Sequence, residues 1–290
     1  MSRRARLISL ILVLAFGAGP ALAQPPLWVA HGRHATLYLF GSVHILPRNV
    51  DWAPAALTSA IAKADEIWFE LPIDEATDLE AARLVAQRGT APAGDDLFSH
   101  LTQAQATRLT ATCQALAVSC ASLARMRPWL ADLTLSLAMD AKAGAVSDQG
   151  VEQKLQALAP PTTRRMAFET AALQIALLAD TPLDDQLASL DESLTDYQDD
   201  PDSYRRMIDE WMAGDLAGLQ KDALSPLANA APGFYRRLIT DRNQRWAGLL
   251  AKRLEGRGVG VVVVGAGHLI GPGGVPALLR ARGFRVDGPG

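Results

Sequence analysis

The sequence predicts an α/β fold: a mixed or mostly parallel sheet with flanking helices and a large helical insertion. Two observations carry most of that expectation. Short apolar runs of strand type alternate with helical patterns along much of the chain, as they do in βα units. Between them, at about 74–160, lies a long alanine- and leucine-rich stretch in helical pattern.

The elements follow in order. Arg3, Arg4 and Arg6 precede an uncharged apolar run at 7–17, and Ala21-Leu22-Ala23 offers the small-x-small pattern of a cleavable secretory signal peptide over 1–23. The apolar run is shorter than the roughly 20 residues that span a bilayer. The mature chain, 24–290, is therefore expected to be a single domain in the periplasm or outside the cell, with no stable membrane insertion. Two β-type runs, 27–30 and 36–40, form a hairpin through Gly32 and Arg33. A helix is expected over 52–64 with Asp51 as its N-cap, then a strand over 66–71 that Pro72 ends. Within the helical stretch, breaks fall near 90–94, 117–119 and 144–150. A strand over 164–168, helices over 171–252, a clear strand at 259–264, a helix at 275–282 and a last strand at 284–286 complete the pattern.

Loss of the three signal arginines takes the formal charge from −3 to −6. An acidic chain without a basic tract is not expected to bind nucleic acid or an anionic membrane surface. Cys113 and Cys120 have no partners in a metal-type spacing. On one continuous helix their Cα atoms would stand about 10 Å apart, too far for a disulfide. A turn at 116–119, with Ser119 capping the next helix, would bring them together. The readings are a disulfide, which suits an oxidising compartment, or two buried thiols.

Four strand-like runs end at or just beyond an ionisable residue: His44, Glu70, Glu169 and His268. In an open α/β sheet ligands collect at the carboxyl ends of the strands, so parallel neighbours would bring all four groups to one cleft. Two imidazoles and two carboxylates form a ligand set for a divalent first-row metal, with Zn, Mn and Co all suited to it. His44 and His268 share the pattern strand-Gly-x-x-His, and the glycine is expected to let the chain turn sharply off the strand. The other histidines of the mature chain, His31, His34 and His100, lie in polar or turn-like settings. The glycines from Gly265 to Gly274 do not make a nucleotide loop, because no Gly-Lys-Ser/Thr follows and His268 and Pro272 interrupt the dinucleotide fingerprint. Arg242 reads either as a carboxylate binder or as an ordinary exposed helix arginine.

These residues carry a resemblance. Tyr38-Leu39-Phe40-Gly41-Ser42-Val43-His44 is similar to the opening motif of the TraB/GumN family, which includes the Tiki metalloproteases. Glu70, Gly150-Val151-Glu152, Phe168-Glu169-Thr170 with Gln174, Trp211 with Gly214-Asp215, Arg242-Asn243 with Trp246, and Val263-Val264-Gly265-Ala266-Gly267-His268-Leu269 follow in the family's order. The resemblance covers essentially the whole mature chain. It implies a metal-dependent hydrolase, with a peptide or small molecule as substrate. His44, His268, Glu70 and Glu169 would be metal ligands. Glu70 would serve as ligand or general base, and Arg242 or Asn243 would stabilise an oxyanion. The alternative is a non-catalytic envelope protein that binds a ligand, a metal or haem in the same cleft.

Overall fold

A computed structural model describes residues 24–146 and 150–289. The expected signal peptide and the middle of the break at 144–150 lie outside the described residues. Six strands form the main sheet: β1 (Leu27–His31), β2 (His34–Ser42), β4 (Glu66–Phe69), β6 (Arg164–Ala167), β7 (Arg257–Gly265) and β8 (Arg285–Asp287). Two short strands, β3 (Leu46–Pro47) and β5 (Ala145–Val146), make a separate antiparallel ribbon. The sheet order is β6-β4-β7-β2-β1-β8. The first four of these run parallel, and β1 and β8 close the other edge antiparallel. The α/β expectation, mostly parallel with flanking helices, is met.

Period-two alternation sorts the strand side chains onto two faces. Val261, Val263, Ile67 and Phe69 face one core with Phe40, Leu57, Ile61 and Trp211. Val262, Val264, Leu37 and Leu39 face the other with Trp28, Trp246, Leu250 and Leu279. Burial on both faces explains why 259–264 reads as an unbroken apolar run rather than an alternating one.

The helix expected over 52–64 is shorter, Ala55–Ile61, and Asp51 does not cap it. Pro54 occupies the cap position, and Trp52 is instead buried, stacked on Phe40 at 5.6 Å. Farther from the sheet, Leu97, Leu109, Cys113, Leu123, Leu135, Leu190 and Leu194 form a third core among helices alone. Leu190 and Leu194 belong to the helix Leu183–Asp199, which follows β6 in the chain. Cys113 and Cys120 form a disulfide with Cα atoms 5.7 Å apart. The expected turn is present: Ala117 is left-handed at φ 55°, and the Ser119 side chain caps the helix Cys120–Ala124. Among the described residues no helix is long and apolar enough to cross a membrane.

Candidate functional site

Three parallel neighbours deliver the ionisable groups to one end of the sheet. β2 leads through Gly41 and Ser42 to His44, β4 ends beside Glu70, and β7 leads through Gly265 to His268. β6 adds Glu169, whose backbone N–H donates to the Glu70 carbonyl at 2.9 Å and sets the two carboxylates at one level.

Neither glycine of the Gly-x-x-His pairs adopts positive φ. Close approach requires glycine at Gly41, and at Gly265 a Cβ would stand in contact with the site's own side chains. A Cβ on Gly41 would lie 2.9 Å from the Ala266 Cα. A Cβ on Gly265 would lie 3.3 Å from Glu70 Oε1 and 3.7 Å from both His44 Nε2 and His268 Cδ2. The expected sharp turn is thus replaced by a missing side chain that leaves an open space between the two histidines and Glu70.

Each histidine is held from behind by its Nδ1–H. His44 donates to Glu152 Oε1 at 2.7 Å, and the same oxygen accepts from the Ser42 hydroxyl at 2.6 Å. His268 donates to Asn243 Oδ1 at 2.6 Å, while the Asn243 amide N–H binds the Gly273 carbonyl at 2.8 Å and so fixes which way the amide faces. In both rings Nε2 is the atom left for the site. Histidines that bind metals are oriented in this way, by an acceptor on the far nitrogen.

Arg242 occupies the middle of the cluster. It is 6% exposed, which settles against an ordinary surface arginine. Its Nη2 donates to Glu70 Oε2 at 2.5 Å and to Glu169 Oε2 at 2.8 Å, its Nε donates to Glu169 Oε1 at 2.9 Å, and its Nη1 donates to His268 Nε2 at 3.0 Å. Both Glu169 oxygens therefore face the guanidinium, and Gln174 bridges Glu169 and Glu70 from the side. Among the described residues no three His, Cys, Asp or Glu side chains stand in an arrangement ready to hold a metal ion. The donors fit such an ion in kind, with two imidazoles oriented at Nδ1 and the Glu70 carboxylate close together, but in this arrangement Glu70 and His268 Nε2 close on Arg242.

The electrostatics separate the two histidines. The Glu152 carboxylate raises His44 to about 9, so this imidazole is protonated at neutral pH. Burial lowers His268 to about 4, so it is neutral. Burial also opposes charge on Glu70, but His268, Arg242, His44 and the Gly265 N–H together outweigh it and hold the acid at about 2. His44 is the accessible member, its side chain 65% exposed, and it opens on a cleft of about 350 Å³ floored by Phe69, Leu71 and Ile73 and walled by Thr77 and Gln153.

The sequence reading singled out six residues, and all six fall in this cluster. It did not assign a role to Glu152 or Ser42. Glu152 is the second residue of the helix Val151–Leu158, and an acid in a first turn reads as a favourable helix-dipole charge. Only its place after Gly150 in the motif pointed further.

The sequence profile of the TraB/PrgY/gumN family matches residues 26–288. The chain belongs to the TraB/PrgY/gumN family. Two relatives are similar along most of their length. The uncharacterized protein YbaP of Shigella flexneri is 27% identical over 249 residues, which are 86% of this chain and 88% of that protein. The uncharacterized protein YbaP of Escherichia coli (strain K12) is 27% identical over 244 residues, 84% of this chain and 87% of that protein. No solved structure matches the chain significantly. The family match spans both Gly-x-x-His segments and all the residues of the cluster.

Proposed function

We propose that this TraB/PrgY/gumN protein is an exported metal-dependent hydrolase acting on peptide bonds. The observation that carries the reading is the pair of imidazoles pinned at Nδ1, which leaves His44 Nε2 beside the Gly265 space and His268 Nε2 3.8 Å from Glu70 Oε1. His268, Glu70 and His44, the last on giving up its proton, would hold the ion. When bound, a divalent ion supplies Lewis acidity and a water-derived nucleophile at neutral pH. Glu70 is ionised, which suits a ligand, while its low pKa makes it a weak general base. Arg242 brings a fixed positive charge to meet a developing oxyanion, and Glu169 anchors it. Asn243 acts through His268 by holding its Nδ1–H, and both its polar atoms are committed. The cleft of about 350 Å³ beside His44 gives a substrate room next to the cluster. Export rests on the signal-type residues 1–23 and agrees with the Cys113–Cys120 disulfide.

The test is a thermal melt of the chelator-stripped mature protein against Zn, Mn and Co. An ion that binds only the folded state raises the melting temperature by mass action. One of these ions should do so, and His44→Ala and His268→Ala should each lose the rise. The reading fails if none of the ions shifts the melt, or if both variants respond as the parent does. With the ion identified, chelator-sensitive cleavage of a quenched fluorescent peptide library reads the reaction itself.

A further inference from the structure

The guanidinium of Arg242 stands where the site's donors meet. Its nitrogens contact two carboxylates, the Leu238 carbonyl at 3.0 Å and the bare Nε2 of His268, and its Cζ lies over the Trp246 ring, 4.6 Å from the centroid. The contact with His268 is the informative one. Because Nδ1–H is committed to Asn243, Nε2 carries a lone pair that is buried and needs a donor. Glu169 is buried and Glu70 largely so, and uncompensated buried carboxylates are costly. A site of this composition needs a cation when no metal is bound, and the chain brings its own. Arg242 follows a π-helical turn, Arg236–Thr240, and its Nη1 caps a carbonyl inside that turn, a kind of local irregularity that marks functional sites.

We propose that Arg242 is a tethered counter-cation of the metal-free site, and that a divalent ion must take Glu70 and His268 Nε2 away from it to bind. Arg242 thereby sets the affinity of the site, weakening it relative to the same donors without the guanidinium. This rests on the metal reading above. In that reading Arg242 keeps its bonds to Glu169 when it yields the other two groups, and so stays in place to face the substrate.

Isothermal titration of chelator-stripped protein with zinc and manganese tests it. Arg242→Met should bind the ion about tenfold or more tightly than the parent, since at least one charge-assisted hydrogen bond no longer has to break. Without metal the variant should melt below the parent and regain the difference when the ion is added. Because Arg242→Met leaves Glu169 short of a partner, Arg242→Met with Glu169→Gln is titrated beside it and should show the same tightening. Equal or weaker affinity in both variants, with the parent binding, sinks the counter-cation and leaves the metal reading standing. Absence of binding in parent and variants alike removes the metal reading, and the counter-cation with it.

Discussion

At Gly265 one missing methyl group decides whether the site has an interior. The residue sits at φ −48° and ψ 135°, which alanine adopts without strain. Its substitution is therefore a steric probe of the space rather than of the backbone. Gly265→Ala should leave the far-ultraviolet spectrum and the metal-free melting temperature close to those of the parent, and should abolish the shift on adding metal. A retained shift would place the ion elsewhere. Glu152 lies on the opposite side of His44 and acts through it, holding the ring with the oxygen that also takes the Ser42 hydroxyl. Arg242 carries the same lesson. In sequence it is one of many helix arginines, and what buries it are two acids, Glu70 and Glu169, far upstream that the sheet brings to it.

Among the elements, the helix Pro128–Lys142 offers a pH-dependent test away from the site. Its Asp140 lines a cavity of about 340 Å³ that also takes in Glu192, Asp196, Tyr197, Tyr204 and Asp222. Burial raises Asp140 to about 6. An unfolded aspartate titrates near 3.9, so the folded chain prefers the protonated acid. The resulting cost is absent below about pH 4, grows as pH rises and is complete above about pH 6. Asp140→Asn should raise the urea midpoint at about pH 8 and leave it nearly unchanged at about pH 4. An equal gain at both values would mean that the effect is packing rather than charge. The strands were legible because they are short apolar runs, and 259–264 most of all because it is buried on both faces. The start of the helix at Ala55 was not, since a tryptophan and a proline suit a first turn as well as they suit the approach to one. Nor did local pattern reveal that Leu190 and Leu194 share a core with Leu109 and Leu123, because helical periodicity names a buried face without naming what covers it.

For the molecule as a whole, Trp211 joins the helical layer to the sheet. It is fully buried, its ring lies 6.2 Å from Phe40 and 6.1 Å from Trp52, and its Nε1–H donates to the Gly41 carbonyl at 2.8 Å. Trp211→Ala should cost about 3–5 kcal/mol in urea denaturation. Because Gly41 begins the segment that carries His44, the same variant should also weaken metal binding. A stability loss with unchanged affinity would show that the loop is held by other contacts. The pairing of β2 with β7 has a consequence for how the protein comes into being. Residues 34–42 wait for residues 257–265, and β1 waits for β8 beyond them. Contacts between such distant segments form slowly and late, whereas the loop closed by Cys113 and Cys120 can be sealed as soon as both have emerged. A growing chain thus holds its two imidazoles apart until almost all of it has been made, so a prematurely ended chain cannot assemble the cluster.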